Sequence, residues 1–258
     1  MRILSIDPAT KSLAVSILDF NENWKNDIMA LGREHRESFH KEKDVEIRLK
    51  ILHHWIINMK RTMDDIIQLR YVNVFNLIPG TKIDKIPLVD RLQRLKGVVE
   101  YIKFVNGKMP GFVPIEKILI EYQMSLQSHD ISTALAYAFA PIEHGFSFSG
   151  THMNFTYEFH NSIIKTHSVE IVGPALKGKV YFGSEGRMQN FRKKYMGNYT
   201  SNKAHSKYNF LKWIDEHECQ DLIKGIPKAN IDDIADSFIM AYAWAIKHCF
   251  RKAPKLNF

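Results

Sequence analysis

The chain has 258 residues, 45% of them hydrophobic, enough to build a sizeable core in one large domain or two small ones. Lys and Arg total 36 against 28 Asp and Glu, a formal charge of +8 with a pI near 9.3, which favours an anionic partner such as nucleic acid. Two cysteines, Cys219 and Cys249, without CxxC or His-rich spacing exclude a disulfide framework and a zinc site. The N-terminus lacks the apolar core of a signal peptide and no apolar run reaches the ~18 residues a bilayer span needs, so an intracellular protein without a membrane segment is expected.

In chain order, residues 2–7 read as a strand. Ser12 to Phe20, with Leu13, Val15, Ile17 and Phe20 near alternation, reads as a second after the turn Pro8-Ala9-Thr10-Lys11. Ile28 to Leu31 is compatible with a short third strand. From Lys43 to Leu69, apolar residues recur at spacings of three and four, which predicts a long amphipathic helix covering the sheet. Residues 71–116, punctuated by Pro79-Gly80, Pro87 and Pro110-Gly111, read as an insertion with a helical middle from Leu88 to Val105. Lys117 to Tyr122 is a short buried strand. A helix follows through Ile131 to Phe139, with Ser128 or Asp130 as its cap. Phe155 to Phe159 and Val169 to Val172 look like further strands. From Lys177 to Lys212 basic and aromatic residues alternate, and a final helix runs from about Ile231 to Phe250. The expected organisation is one domain over 1–250 with a loose tail, 251–258.

Four acids stand where their surroundings disfavour charge. Asp7 ends the apolar run Ile3-Leu4-Ser5-Ile6, Glu121 ends Ile118-Leu119-Ile120, and Asp233 and Asp236 open the apolar final helix. An unpaired carboxylate beside a core is costly. Turn formation explains Asp7 alone, a salt bridge explains Glu121, and first-turn capping explains the terminal pair, with Asp232 the most cap-like of its neighbours. Taken jointly, two strand ends and a helix start are positions that one sheet edge can unite. A divalent cation between them would relieve their repulsion, and oxygen ligands without Cys or His favour Mg2+ or Mn2+. Such a site suits phosphodiester hydrolysis, in which two ions clamp the attacking and leaving oxygens.

The motifs Ile6-Asp7-Pro8-Ala9-Thr10-Lys11-Ser12, Leu119-Ile120-Glu121-Tyr122-Gln123 and Asp232-Asp233-Ile234-Ala235-Asp236-Ser237 resemble those of the RuvC-type Holliday junction resolvases of the RNase H-like superfamily, in the branch found in poxviruses and other large DNA viruses. The resemblance implies an α/β fold with a mixed five-stranded sheet flanked by helices, and a homodimer making paired symmetric incisions in four-way DNA junctions. It implies that Asp7, Glu121, Asp233 and Asp236 are at once the catalytic and the metal-binding residues, with Mg2+ or Mn2+, two per site, and no small-molecule cofactor. By position the basic stretch resembles the family's DNA-contacting segment, so Arg187, Arg192, Lys193, Lys194, Lys203 and Lys207 are candidate phosphate contacts; a solvated basic surface is the plain alternative. A cytoplasmic, nuclear or viral-replication-site location fits such an enzyme. Competing readings are an RNase H-like nuclease acting on RNA/DNA hybrids or flaps, and a noncatalytic branched-DNA-binding protein. An actin-like or sugar-kinase-like ATPase is disfavoured, because Pro8-Ala9 stands where phosphate-gripping glycines would be needed.

Overall fold

The computed structural model describes residues 1–9, 11–78, 88–109, 114–122, 126–139, 154–157, 167–174 and 199–251. Strands β1 (Arg2–Pro8) and β2 (Ser12–Phe20) form a hairpin, followed by helices α1 (Trp24–Lys41) and α2 (Val45–Ile66) and strand β3 (Ile67–Asn76). Then come α3 (Leu88–Lys108), β4 (Ile115–Glu121), α4 (Leu126–Phe139), β5 (Asn154–Tyr157), β6 (His167–Val172), α5 (Tyr199–Glu216) and α6 (Ile231–Arg251). The sheet order is β3-β2-β1-β4-β6-β5. It holds the expected mixed five strands, and the four-residue β5, antiparallel to β6, adds a sixth at the edge.

Both faces of the sheet are covered, which is why β1 is buried at every position and reads as an almost continuous apolar run. Alternation sends Leu4, Ile6, Val15, Ile118 and Ile120 to one face, where they pack on Leu95, Val99 and Ile102 of α3 and Ile131 and Leu135 of α4. Ile3, Ala14, Leu18 and Leu119 point the other way, into a core with Met63 of α2, Phe210 and Trp213 of α5, and Phe238 and Tyr242 of α6.

Three expectations are corrected. Ile28 to Leu31 lies inside α1, where Trp24 and Ile28 bury one helical face; a four-residue apolar run does not distinguish helix from strand. The helix expected to reach Leu69 stops at Ile66, and β3 begins at the next residue. Its register slips opposite Ile17/Leu18, so Leu18 faces Leu69 while Ile17 faces Tyr71, leaving Arg70 as the extra residue of a bulge. Burial in β3 therefore falls at Ile67, Leu69 and Val72, so the bulge stretches the alternating spacing of two to three, as in a helix. Finally, α4 starts at Leu126, placing Ser128 and Asp130 within it rather than before it.

The segment 71–116 also resolves into distinct parts. Residues 71–76 complete β3, and α3 is the crossover that two strands of the same direction, β3 and β4, require. The element that the sheet topology does not require is the α1–α2 helical pair, placed between the antiparallel neighbours β2 and β3. Of the expected tail, all but Arg251 lies outside the described residues.

Candidate active site

The central strands β1 and β4 run parallel, with Ile6 opposite Ile120. Asp7 and Glu121 are the next residue on each strand. They share a level on strands that lie roughly 4.7–4.9 Å apart, and alternation points both to the face of Ile3 and Leu119, the face covered by α6. Asp7 is 7% exposed and Glu121 4%. Val172 of β6 faces Glu121, accepting the Tyr122 backbone N–H at 2.8 Å, and Ser132 of α4 donates to the Glu121 carbonyl at 3.2 Å. These bonds fix the strand end that carries the carboxylate.

Helix α6 crosses this face in the opposite direction. Its middle is set by small residues: the Ser5 hydroxyl donates to the Ser237 carbonyl at 2.6 Å, and the hydroxyls of Ser16 and Ser237 are hydrogen-bonded. One end is set by Trp244, whose indole N–H donates to Glu170 Oε2 at 3.0 Å; Glu170 also pairs with Lys117 at 2.8 Å, toward the start of β4. Passing from Trp244 back to Ser237 moves up the strands from Lys117 to Ser5. Asp236 and Asp233 precede Ser237 on α6, toward the strand ends that carry Asp7 and Glu121.

Asp236 is 4% exposed, and Asp233 sits half-buried three residues earlier on the same helical face. The β1–β4 register sets Asp7 beside Glu121, and Asp233 and Asp236 lie on the helix that packs over this face. Their side chains do not form a closed cage: among the described residues no group of three or more His, Cys, Asp and Glu is arranged to hold a metal ion. Asp7, Glu121 and Asp236 each take part in a polar or electrostatic interaction. The donor set fits a hard cation: carboxylate oxygens, mostly buried, with no sulfur or imidazole among them.

Of the candidate phosphate contacts, Arg187, Arg192, Lys193 and Lys194 lie outside the described residues. Lys203 and Lys207 lie on α5, one turn apart, and both reach α6. Lys203 Nζ is 2.8 Å from Asp233 Oδ1 and Lys207 Nζ 2.6 Å from Asp232 Oδ1. Sequence reasoning anticipated neither bridge. The matching signal, lysines four apart and adjacent acids, lay in the sequence without anything to say that α5 packs on α6. Asp232, expected to be a cap or a solvated neighbour, is instead an ion-pair partner.

Residues 190–248 match the model of a family described as Poxvirus A22 protein. A search of curated proteins finds no match. Among solved structures the chain is similar to RuvC of Thermus thermophilus, at 10% identity over 96% of this chain and 98% of that one, with a TM-score of 0.39. It is also similar to a Ppx/GppA family protein of Aquifex aeolicus, at 11% identity over 97% and 91% of the two chains, with a TM-score of 0.28. Among the described residues no helix is long and apolar enough to cross a membrane. The segment that matches the poxvirus A22 family model spans α5 and most of α6, including Asp232, Asp233 and Asp236.

Proposed function

We propose that this protein is a Holliday junction resolvase and that Asp7, Glu121, Asp233 and Asp236 form the hydrolytic centre with which it cuts four-way DNA junctions, working with two Mg2+ or Mn2+ ions. The observation that supports the assignment is the shared level of Asp7 and Glu121 on neighbouring parallel strands, on the face that α6 covers. When bound, the ions would neutralise phosphate oxygens, activate water and stabilise the leaving oxygen. In this reading Asp7, Glu121, Asp233 and Asp236 would together hold the ions through their carboxylate oxygens. Burial excludes much of the competing water from these carboxylates, which strengthens their hold on a cation.

The products would be 5′-phosphate and 3′-hydroxyl ends. Two symmetric incisions need two such centres, so the working form would be a homodimer, and the paired cuts would release two duplexes.

Asp7→Asn, Glu121→Gln and Asp236→Asn should each reduce Mg2+-dependent cleavage of a synthetic four-way junction on the order of 10³-fold or more. Junction binding, measured in Ca2+, should persist and report that the variants fold. Full cleavage by Glu121→Gln would sink the assignment. Digesting a junction, an RNA/DNA hybrid and a flap side by side separates junction resolution from the other RNase H-like specificities.

A further inference from the structure

We propose that Lys203 is a positioning residue that neutralises Asp233 in the DNA-free protein and turns to a junction phosphate when a divalent cation takes that carboxylate. Cation entry and strand engagement are then one exchange. This rests on the assignment of Asp233 to the hydrolytic centre.

The geometry supplies the parts. Lys203 Nζ lies 2.8 Å from Asp233 Oδ1, with side chains 27% and 21% exposed, so the bridge is partly withdrawn from water while its ammonium retains a path to solvent. Asp233 and Asp236 share a helical face, so this ammonium sits on the carboxylate that completes the metal-binding pair. An isolated half-buried carboxylate is costly, but a monovalent ammonium can be exchanged for a divalent ion that several carboxylates share. Lysine suits the exchange: it is a compact charge on a flexible four-carbon stem, able to leave one oxygen for another without disturbing its helix.

Lys207 has a different part. Its 2.6 Å bridge goes to Asp232, which is not one of the four acids assigned to the hydrolytic centre, so removing it should not free a metal-binding carboxylate.

The test is Mn2+ binding to the full chain without DNA, followed by the electron paramagnetic resonance of free Mn2+. Lys203→Met removes the competing ammonium and should tighten binding by about two- to fivefold, the range set by a partly exposed ion pair. Lys203→Arg should restore wild-type affinity, and Lys207→Met should leave it unchanged. In the second arm, Ca2+ should strengthen wild-type junction binding more than that of Lys203→Met, because only the wild type releases an ammonium. Should Lys203→Met fail to fold by thermal melting, Lys203→Gln makes the same test.

Wild-type Mn2+ affinity in the folded Lys203 variant, or equal tightening by Lys207→Met, overturns the exchange. If Mn2+ binding is also indifferent to Asp7→Asn and Glu121→Gln, the four-acid centre fails with it. If it depends on those two acids and not on Lys203, only the exchange fails.

Discussion

Arg2 is the one fully buried arginine among the described residues, and what surrounds it shows how this fold tolerates charge beside its core. Its Nε and Nη2 donate to the two carboxylate oxygens of Asp19, its cross-strand neighbour, at 2.6 and 2.8 Å, and Nη1 donates to Asn106 of α3 at 2.9 Å. Arg70, the residue bulged out of β3, adds a third bond to Asp19 at 2.7 Å. Burial alone would raise the Asp19 carboxyl pKa, but the hydrogen bonds and charges of Arg2 and Arg70 outweigh it and hold the group below its ordinary value. A carboxyl with a depressed folded-state pKa contributes stability that is present above the unfolded value, about 4, and is lost as pH falls through the lower folded value. Asp19→Asn leaves Arg2 charged and without its counter-ion, so it should cost about 3–5 kcal/mol at pH 7 in urea unfolding. The gap between wild type and variant should narrow below pH 4. A constant gap across that window would show that the ionised carboxylate is not the source.

At the scale of elements, the site depends on where α6 crosses the sheet, and that crossing is made by hydroxyls and small side chains. Ser237 also donates to the Ile234 carbonyl at 2.9 Å, tying the crossing to the turn that carries Asp233 and Asp236. Ser237→Ala leaves the buried Ser16 hydroxyl without this partner and should cost about 1–3 kcal/mol, whereas Ser16→Ala combined with Ser237→Ala should cost less than the two singly. Additive losses in urea unfolding would mean that the two hydroxyls do not act as a pair. What the sequence disclosed follows the same physics. β1 and β4 are legible because each is an apolar run stopped by an acid, and α6 because its stripe of Ile234, Phe238, Ala241 and Ala245 keeps helical spacing. β3 was hidden by the bulge at Arg70, which shifts an alternating pattern into a spacing of three. The acids could be named because an isolated charge at the end of a buried segment is conspicuous. Their partners on α5 could not, since Lys203 and Asp233 are thirty residues apart and meet only through the packing of two helices.

For the molecule as a whole, the charge balance sets how it meets a polyanion. The α1–α2 pair is close to neutral, with nine Lys and Arg against eight Asp and Glu between Trp24 and Ile66, so nearly all of the +8 excess is carried elsewhere. That distribution favours engaging a polyanion from the side of α5, whose lysines lie next to the α6 acids. Each lysine or arginine that neutralises a phosphate releases condensed counter-ions, so affinity falls linearly with salt on logarithmic axes, with a slope of about 0.9 per contact. If Arg187, Arg192, Lys193, Lys194, Lys203 and Lys207 all contact phosphates, the slope should approach about −5, and raising salt from about 50 to 200 mM should weaken junction binding on the order of a thousandfold. Replacing Arg192 or Lys193 with Ala should lower the slope by about one for each contact removed, while replacing Arg33 on α1 should leave it unchanged. Fluorescence anisotropy of a labelled four-way junction across a salt series measures these slopes directly. A slope near zero, or one that Arg33→Ala reduces as much as Arg192→Ala, would move the DNA-binding surface away from the α5 side of the molecule.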